Sequence, residues 1–169
     1  YDPKCMQATV KHDKKINVWG CFAAHGVGDL IKVDGILEQT QYRDILDTYM
    51  MPSADILFAR NEEGLQSHHF QQDNDPKHTA IATRNWFQDN HVQLLEWPSQ
   101  SPDLNPIEHL WEHLDRKCRS RQCNSEDQLM HVLNQAWHSI DEADLTKLVD
   151  SMPRRVAAVI AVNGNPTKY

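Results

Sequence analysis

Long apolar runs are missing from this 169-residue chain. No stretch approaches the roughly 18 consecutive apolar residues of a membrane span, and the opening residues carry Asp2 and Lys4 without an apolar block. Neither a transmembrane helix nor a secretory signal is read there, so a soluble intracellular protein with no membrane partner is expected. Cysteine is sparse as well. Cys5, Cys21, Cys118 and Cys123 contain no CxxC pair and no dense framework, so reduced thiols rather than disulfides are expected. Positive charge is in deficit: 17 Lys plus Arg against 24 Asp plus Glu leave a net charge of −7, the wrong sign for holding a polyanion by bulk charge alone. Repeats and low-complexity tracts are absent too. The length suits one domain, residues 1–169, and is enough to bury a core without covalent staples.

Residues 1–15 are polar and carry Pro3, which predicts an extended lead-in whose lysines are solvated. Ile16–Ala24 and Asp29–Asp34 are apolar-rich and flank Gly26-Val27-Gly28, the pattern of an antiparallel hairpin with its turn at the glycines. Thr40 is placed to cap a helix in which Tyr42, Ile45, Leu46 and Tyr49 recur at helical spacing until Pro52. Ser53–Ser67 reads as an irregular connection. His68–Asp73 is a short strand that Pro76 stops, and Thr79–Asn90 is a helix turning Ala82, Trp86 and Phe87 inward. Val92–Leu95 is a further buried strand, parallel to the previous one because a right-handed crossover joins them. Pro98, Pro102 and Pro106 make residues 96–106 a stiff loop.

Beyond it, Pro106 sits near the first helical position, and Ile107, Leu110, Trp111, Leu114 and Cys118 form one apolar stripe. Ser125–Gln128 spells a capping box ahead of a second stripe, Leu129, Val132, Leu133, Ala136, Trp137 and Ile140. Asp144–Val162 divides into two short helical stretches around Ser151-Met152-Pro153. The order β, β, α, β, α, β, α, α is that of a mixed α/β domain.

Two acids stand out, Asp73 at a strand end and Glu108 in a first helical turn, with 34 residues between them. Carboxylates on rigid elements are the hard-oxygen ligands that Mg²⁺ takes alongside phosphate oxygens. An Asn-Asp-Pro turn, and a Glu favoured by the positive end of a helix dipole, account for the same residues without any function. His78 is placed either to meet a phosphate or to stabilise the turn. Asn74 and Asn105 are candidates for orienting the two acids from behind, as outer partners of metal ligands do. His109, His113, Cys118 and Cys123 have zinc-type residue chemistry, but a polar helix side is the favoured reading. Trp19, Trp86, Trp111 and Trp137 belong to predicted buried faces.

Gln71-Gln72-Asp73-Asn74-Asp75-Pro76-Lys77-His78-Thr79 and Ser101-Pro102-Asp103-Leu104-Asn105-Pro106-Ile107-Glu108 resemble the second and third catalytic motifs of mariner-type cut-and-paste DNA transposases. Val18-Trp19-Gly20-Cys21-Phe22 and Ser151-Met152-Pro153-Arg154-Arg155 resemble other stretches of that family, so the likeness spans almost the whole chain.

The resemblance implies a ribonuclease H-like mixed sheet flanked by helices, with the first, central strand missing from this chain. It implies three metal-holding acids, of which the first would lie upstream of the segment at Tyr1. Asp29 and Asp34 on the hairpin are not expected to replace it. By resemblance, Asp73 would bridge two Mg²⁺ (or Mn²⁺) ions and Glu108 would hold one of them, and the two side chains are expected to converge at the sheet rim. DNA, both transposon ends and target, is the implied partner, gripped mainly by a separate basic helix-turn-helix region, and Trp97 could reach it from the loop. The nucleus is the implied compartment. With two of three acids the polypeptide is expected to be inactive in cleavage. The alternative is a domesticated or truncated descendant acting as a non-catalytic DNA-binding or dimerising module. A missing central strand leaves unpaired edges. Either the remaining strands pair with each other, or a strand is exchanged with a second copy in a homo-oligomer.

Overall fold

The computed structural model describes residues 8–9, 15–58, 68–98, 101, 104–119, 121, 123–163 and 167. A three-stranded sheet of order β1-β2-β3 is made by β1 (Ala8–Thr9), β2 (Asn17–Ala23) and β3 (Gly26–Val33). Neighbours on both sides and buried Val18 and Trp19 at successive positions mark β2 as a strand covered on both faces. In strand β3 Gly28, Leu30 and Val33 are buried while Asp29 and Lys32 face solvent. The hairpin is where it was expected, but its turn is Ala24-His25, and Gly26-Val27-Gly28 lies inside β3. Close approach explains the glycine there. A Cβ on Gly28 would stand 2.6 Å from Cys21 Sγ and 2.7 Å from Ser53 Cβ.

The described chain divides into two compact units, one of Tyr1–Ala8, Asn17–Cys21 and Gly28–Gln100, the other of Thr9–Ile16, Phe22–Val27 and Ser101–Tyr169. In the first, α1 (Gln39–Ile45) runs through a wide π turn (Leu46–Met50) into α2 (Met51–Phe58). Glu38, not Thr40, occupies the N-cap, and Pro52 does not end the helix. The widened turn just ahead of the proline is where a missing N–H and a ring clash are tolerated. Ser53–Phe58 is therefore helical rather than irregular, while residues 59–67 of that expected connection, and most of the 1–15 lead-in, lie outside the described residues.

The strands predicted at His68–Asp73 and Val92–Leu95 reduce to one parallel bridge, Phe70 to Leu94, with Phe70 N–H donating to Gln93 O at 2.7 Å and Leu95 N–H to Phe70 O at 2.9 Å. The parallel sense is the one expected; the length is not. This bridge stands outside the sheet, so among the described residues the hairpin and the Asp73 segment do not pair with each other. Pro76 starts a helix rather than merely stopping a strand: α3 (Pro76–Thr79) is followed by α4 (Ile81–Asp89), separated by the extended backbone of Ala80. Phe87 of α4 is buried beside Phe70, whereas Ala82 and Trp86 are half-buried. Trp19, Val33, Tyr42, Ile45, Leu46, Met50 and Phe87 form the core of this unit.

The described residues of the second unit include, besides the hairpin tip, α5 (Ile107–Cys118), α6 (Glu126–His138), α7 (Glu142–Asp150) and α8 (Met152–Ala161). All five members of the α5 stripe are buried, and Trp111 stacks on Trp137 of α6 at 5.4 Å. Ser125 Oγ accepts from Gln128 N–H at 3.1 Å, while the Gln128 side chain reaches Asn124 N–H instead of closing the reciprocal bond. Thr146 Oγ1 of α7 donates to Ala24 O at the hairpin tip. Among the described residues no helix is long and apolar enough to cross a membrane.

Candidate active site

Asp73 lies three residues beyond the bridging Phe70, and only 8 % of it is exposed. Its Oδ1 accepts from the backbone N–H of Asp75 at 3.1 Å and meets His78 Nδ1 at 2.5 Å. A carboxylate oxygen only accepts, so Nδ1 carries the proton of that pair. His78 is fully buried, and its Nε2 meets no hydrogen-bond partner among the described residues.

Local sequence builds this geometry. Asp75 caps α3, its Oδ1 accepting from Lys77 N–H at 3.1 Å while its Oδ2 stands 2.6 Å from Lys77 Nζ. Pro76 at the first helical position lacks an N–H that would have gone unused there. The single turn that follows swings His78 back under Asp73. A ring sealed beneath the acid stabilises the turn and offers no exposed face to a phosphate.

Behind this pair lies a second tier. Tyr42 of α1, wholly buried, donates its hydroxyl to Gln72 Oε1 at 2.7 Å, and Gln72 Nε2 donates to the carbonyl of His78 at 3.3 Å. The Tyr42 and His78 rings lie 4.2 Å apart. Burial first, then the charges of Asp73, Cys21 and Asp75, push the Tyr42 hydroxyl well above the usual tyrosine range, so it stays a donor. Neither Tyr42 nor Gln72 stood out in sequence except as a core aromatic and a residue beside an acid. The available signal was that a buried tyrosine needs a partner for its hydroxyl.

Asn74 is not behind Asp73. It faces solvent, and its Nδ2 donates to Trp97 O at 2.7 Å, tying the turn to the start of the proline-rich loop. In an extended segment neighbouring side chains point to opposite sides, so a residue adjacent to an inward acid turns away from it.

In the second unit, Glu108 is half-buried in the first turn of α5, where the helix dipole favours a carboxylate. The buried Asn105 accepts the Glu108 N–H on its carbonyl at 3.3 Å. His109 titrates below the usual histidine range, through burial and then the charge of Arg155. That arginine, in the Ser151–Arg155 motif, is only 3 % exposed and donates from Nε to Ser151 Oγ at 2.8 Å. Its burial went unread in the sequence. His113 is lowered too, by burial and then Lys117. Cys118 points into the α5 core stripe, and no group of three or more His, Cys, Asp or Glu lies together as a metal set among the described residues.

The donor chemistry suits a hard divalent cation. Asp73 has one oxygen anchored by an N–H and an imidazole, which fixes the carboxylate plane, and Glu108 sits on a rigid helix start.

The mixed sheet-and-helix architecture is a ribonuclease H-like fold. It matches the Mos1 transposase catalytic domain solved with Raltegravir and Mn at a TM-score of 0.86 and 18% identity, over 96% of this chain and 82% of that one. A mariner Mos1 paired end complex with Mg matches at 0.75 and 22% identity, over 91% of this chain and 44% of that one. The DDE superfamily endonuclease profile covers residues 2–130. The Tc1 transposable element transposase of Caenorhabditis elegans is 47% identical over all of this chain and 60% of its own length. The chain belongs to the DDE superfamily endonuclease family and corresponds to the catalytic-domain portion of a Tc1/mariner transposase. It spans about 60% of the length of the curated relative it matches.

Proposed function

We propose that the protein carrying this chain performs divalent-metal-dependent cleavage and strand transfer of DNA, with Asp73 and Glu108 as metal ligands. The observation that carries this reading is the buried Asp73 carboxylate with one oxygen clamped by His78 and Asp75 N–H. Mg²⁺ or Mn²⁺, when bound, would activate the attacking oxygen and stabilise the leaving one. Asp73 holds its carboxylate in one orientation, its neighbour His78 excludes water from beneath, and the Asn74 to Trp97 link steadies the loop beside it. Glu108 supplies a second carboxylate from the helix start, and Asn105 fixes that start through its carbonyl.

DNA is the proposed substrate and partner, supported by the family and by the paired end complexes of Mos1. A net charge of −7 assigns most of the grip on DNA to other parts of the whole protein. Action as a homo-oligomer in the nucleus belongs to the same proposal. The 169 residues taken alone hold two of the three acids implied by the resemblance, and on their own they are expected not to cleave.

The test is strand nicking of transposon-end DNA by the whole protein with Mg²⁺ or Mn²⁺. Asp73→Asn and Glu108→Gln should each lower the rate by about a thousandfold or more, since positioning at such a centre is worth orders of magnitude. Unchanged nicking in both variants would overturn the assignment. Metal and DNA binding with no nicking by the whole protein would instead mark a non-catalytic descendant.

A further inference from the structure

We propose that Tyr42 is a positioning residue for Asp73, acting through Gln72 and His78. This rests on the reading of Asp73 as a metal ligand. Four residues form one buried line, with the His78 backbone carbonyl as one of its links. The Tyr42 hydroxyl donates to Gln72 Oε1 at 2.7 Å, Gln72 Nε2 donates to His78 O at 3.3 Å, and His78 Nδ1 donates to Asp73 Oδ1 at 2.5 Å. Tyr42 also lays its ring against the His78 imidazole at 4.2 Å, tilted by 39°.

The direction of the donors matters. The His78 carbonyl only accepts, so it takes the Gln72 amide nitrogen and leaves the amide oxygen toward Tyr42, whose hydroxyl donates to it and holds the amide in that orientation. The His78 backbone and ring are then each held, one by the amide and one by the tyrosine face. With Nδ1 bound to Asp73 and Nε2 buried with no partner among the described residues, the imidazole has a single favourable tautomer. An imidazole that cannot flip presents a fixed N–H to Oδ1 and so fixes the carboxylate plane. The array is anchored on α1, 30 residues earlier in the chain than Gln72. Tyr42, wholly buried, thus acts on the site from α1 through other side chains. A purely space-filling aromatic would need no hydroxyl there, and Tyr42→Phe separates the two roles.

Outer partners of metal ligands are typically worth about 10- to 100-fold in metal affinity or activity. Tyr42→Phe in the full chain should weaken Mn²⁺ binding, read by the electron paramagnetic resonance of free ion, by about that factor. In the metal-free protein the ¹⁵N shifts of the His78 ring should move away from a pure Nδ1-protonated form. In the whole protein kcat for nicking should fall while KM for DNA ends stays within about twofold.

Tyr42→Phe combined with Gln72→Met removes both members of the Tyr42–Gln72 bond and also takes the Gln72 donor from the His78 carbonyl. Neither the urea midpoint nor the Mn²⁺ affinity should recover in this double variant. Wild-type Mn²⁺ affinity and His78 shifts in Tyr42→Phe would overturn the proposal, as would affinity that recovers together with stability in the double variant. Asp73→Asn separates the two levels. Loss of Mn²⁺ binding there, with Tyr42→Phe unaffected, sinks only the positioning role. Retained binding in Asp73→Asn sinks the site and the positioning role together.

Discussion

Removing the imidazole of His78 tests the buried pair directly. His78 is 0 % exposed and its Nδ1 lies 2.5 Å from Asp73 Oδ1, in a place that water does not reach from below. A hydrogen bond to a charged group contributes about 1.5–3 kcal/mol, and an emptied ring site adds roughly 1–2 kcal/mol through the cavity left against Tyr42. His78→Ala should therefore lower the unfolding free energy by about 2.5–5 kcal/mol. The part that belongs to the pair is isolated by a cycle of wild type, His78→Ala, Asp73→Ala and the double variant. Residues in direct contact couple, whereas distant ones add within about 0.5 kcal/mol. A coupling of about 1.5–3 kcal/mol is expected here. Urea unfolding of the four proteins gives it, provided the slope against denaturant is the same in all. If His78→Ala costs the same with and without the Asp73 carboxylate, the clamp on Oδ1 contributes nothing, and the orientation argument for the metal ligand falls with it.

Three further outcomes follow from packing and charge. Leu114→Ala, at a fully buried position of α5, should destabilise by about 2–5 kcal/mol in thermal or chemical unfolding. Gly28→Ala forces a Cβ to 2.6 Å from Cys21 Sγ and 2.7 Å from Ser53 Cβ, so a loss of about 1–3 kcal/mol is expected, and a neutral result would refute the close approach. The Cys21 thiol is pushed up to about 12, by burial first, against a partial offset from its Ser53 hydrogen bond and with a further rise from Asp29. A raised thiol stays protonated as pH rises, so iodoacetamide at pH 8.5 should leave Cys21 unmodified in the folded chain and label it in urea, as mass spectrometry of the peptide will show.

The α5 stripe shows what periodicity can settle. Ile107, Leu110, Trp111, Leu114 and Cys118 were assigned to one face from spacing alone, and all are buried. The Ser125 cap, the break between α7 and α8 and the parallel sense of the Phe70 and Leu94 segments were legible in the same way, because each depends on residues close in sequence or on a handedness rule. Glycine and proline misled where tertiary packing outweighed local preference. Gly28 is in a strand because Cys21 and Ser53 crowd it, and Pro52 continues a helix through a widened turn.

The amino-acid sequence by itself determined the family and the helices α5 and α6 with their buried stripes. It also named Asp73 and Glu108 as the candidate acids, through short motifs and local periodicity that need no distant partner. Only the tertiary structure decided that His78 lies sealed under Asp73 with Gln72 and Tyr42 behind it, and that Asn74 turns away to Trp97. The physical reason is separation along the chain. Tyr42 meets Gln72 across 30 residues, and Asn74 meets Trp97 across 23, contacts that exist only once the core of the first unit has closed.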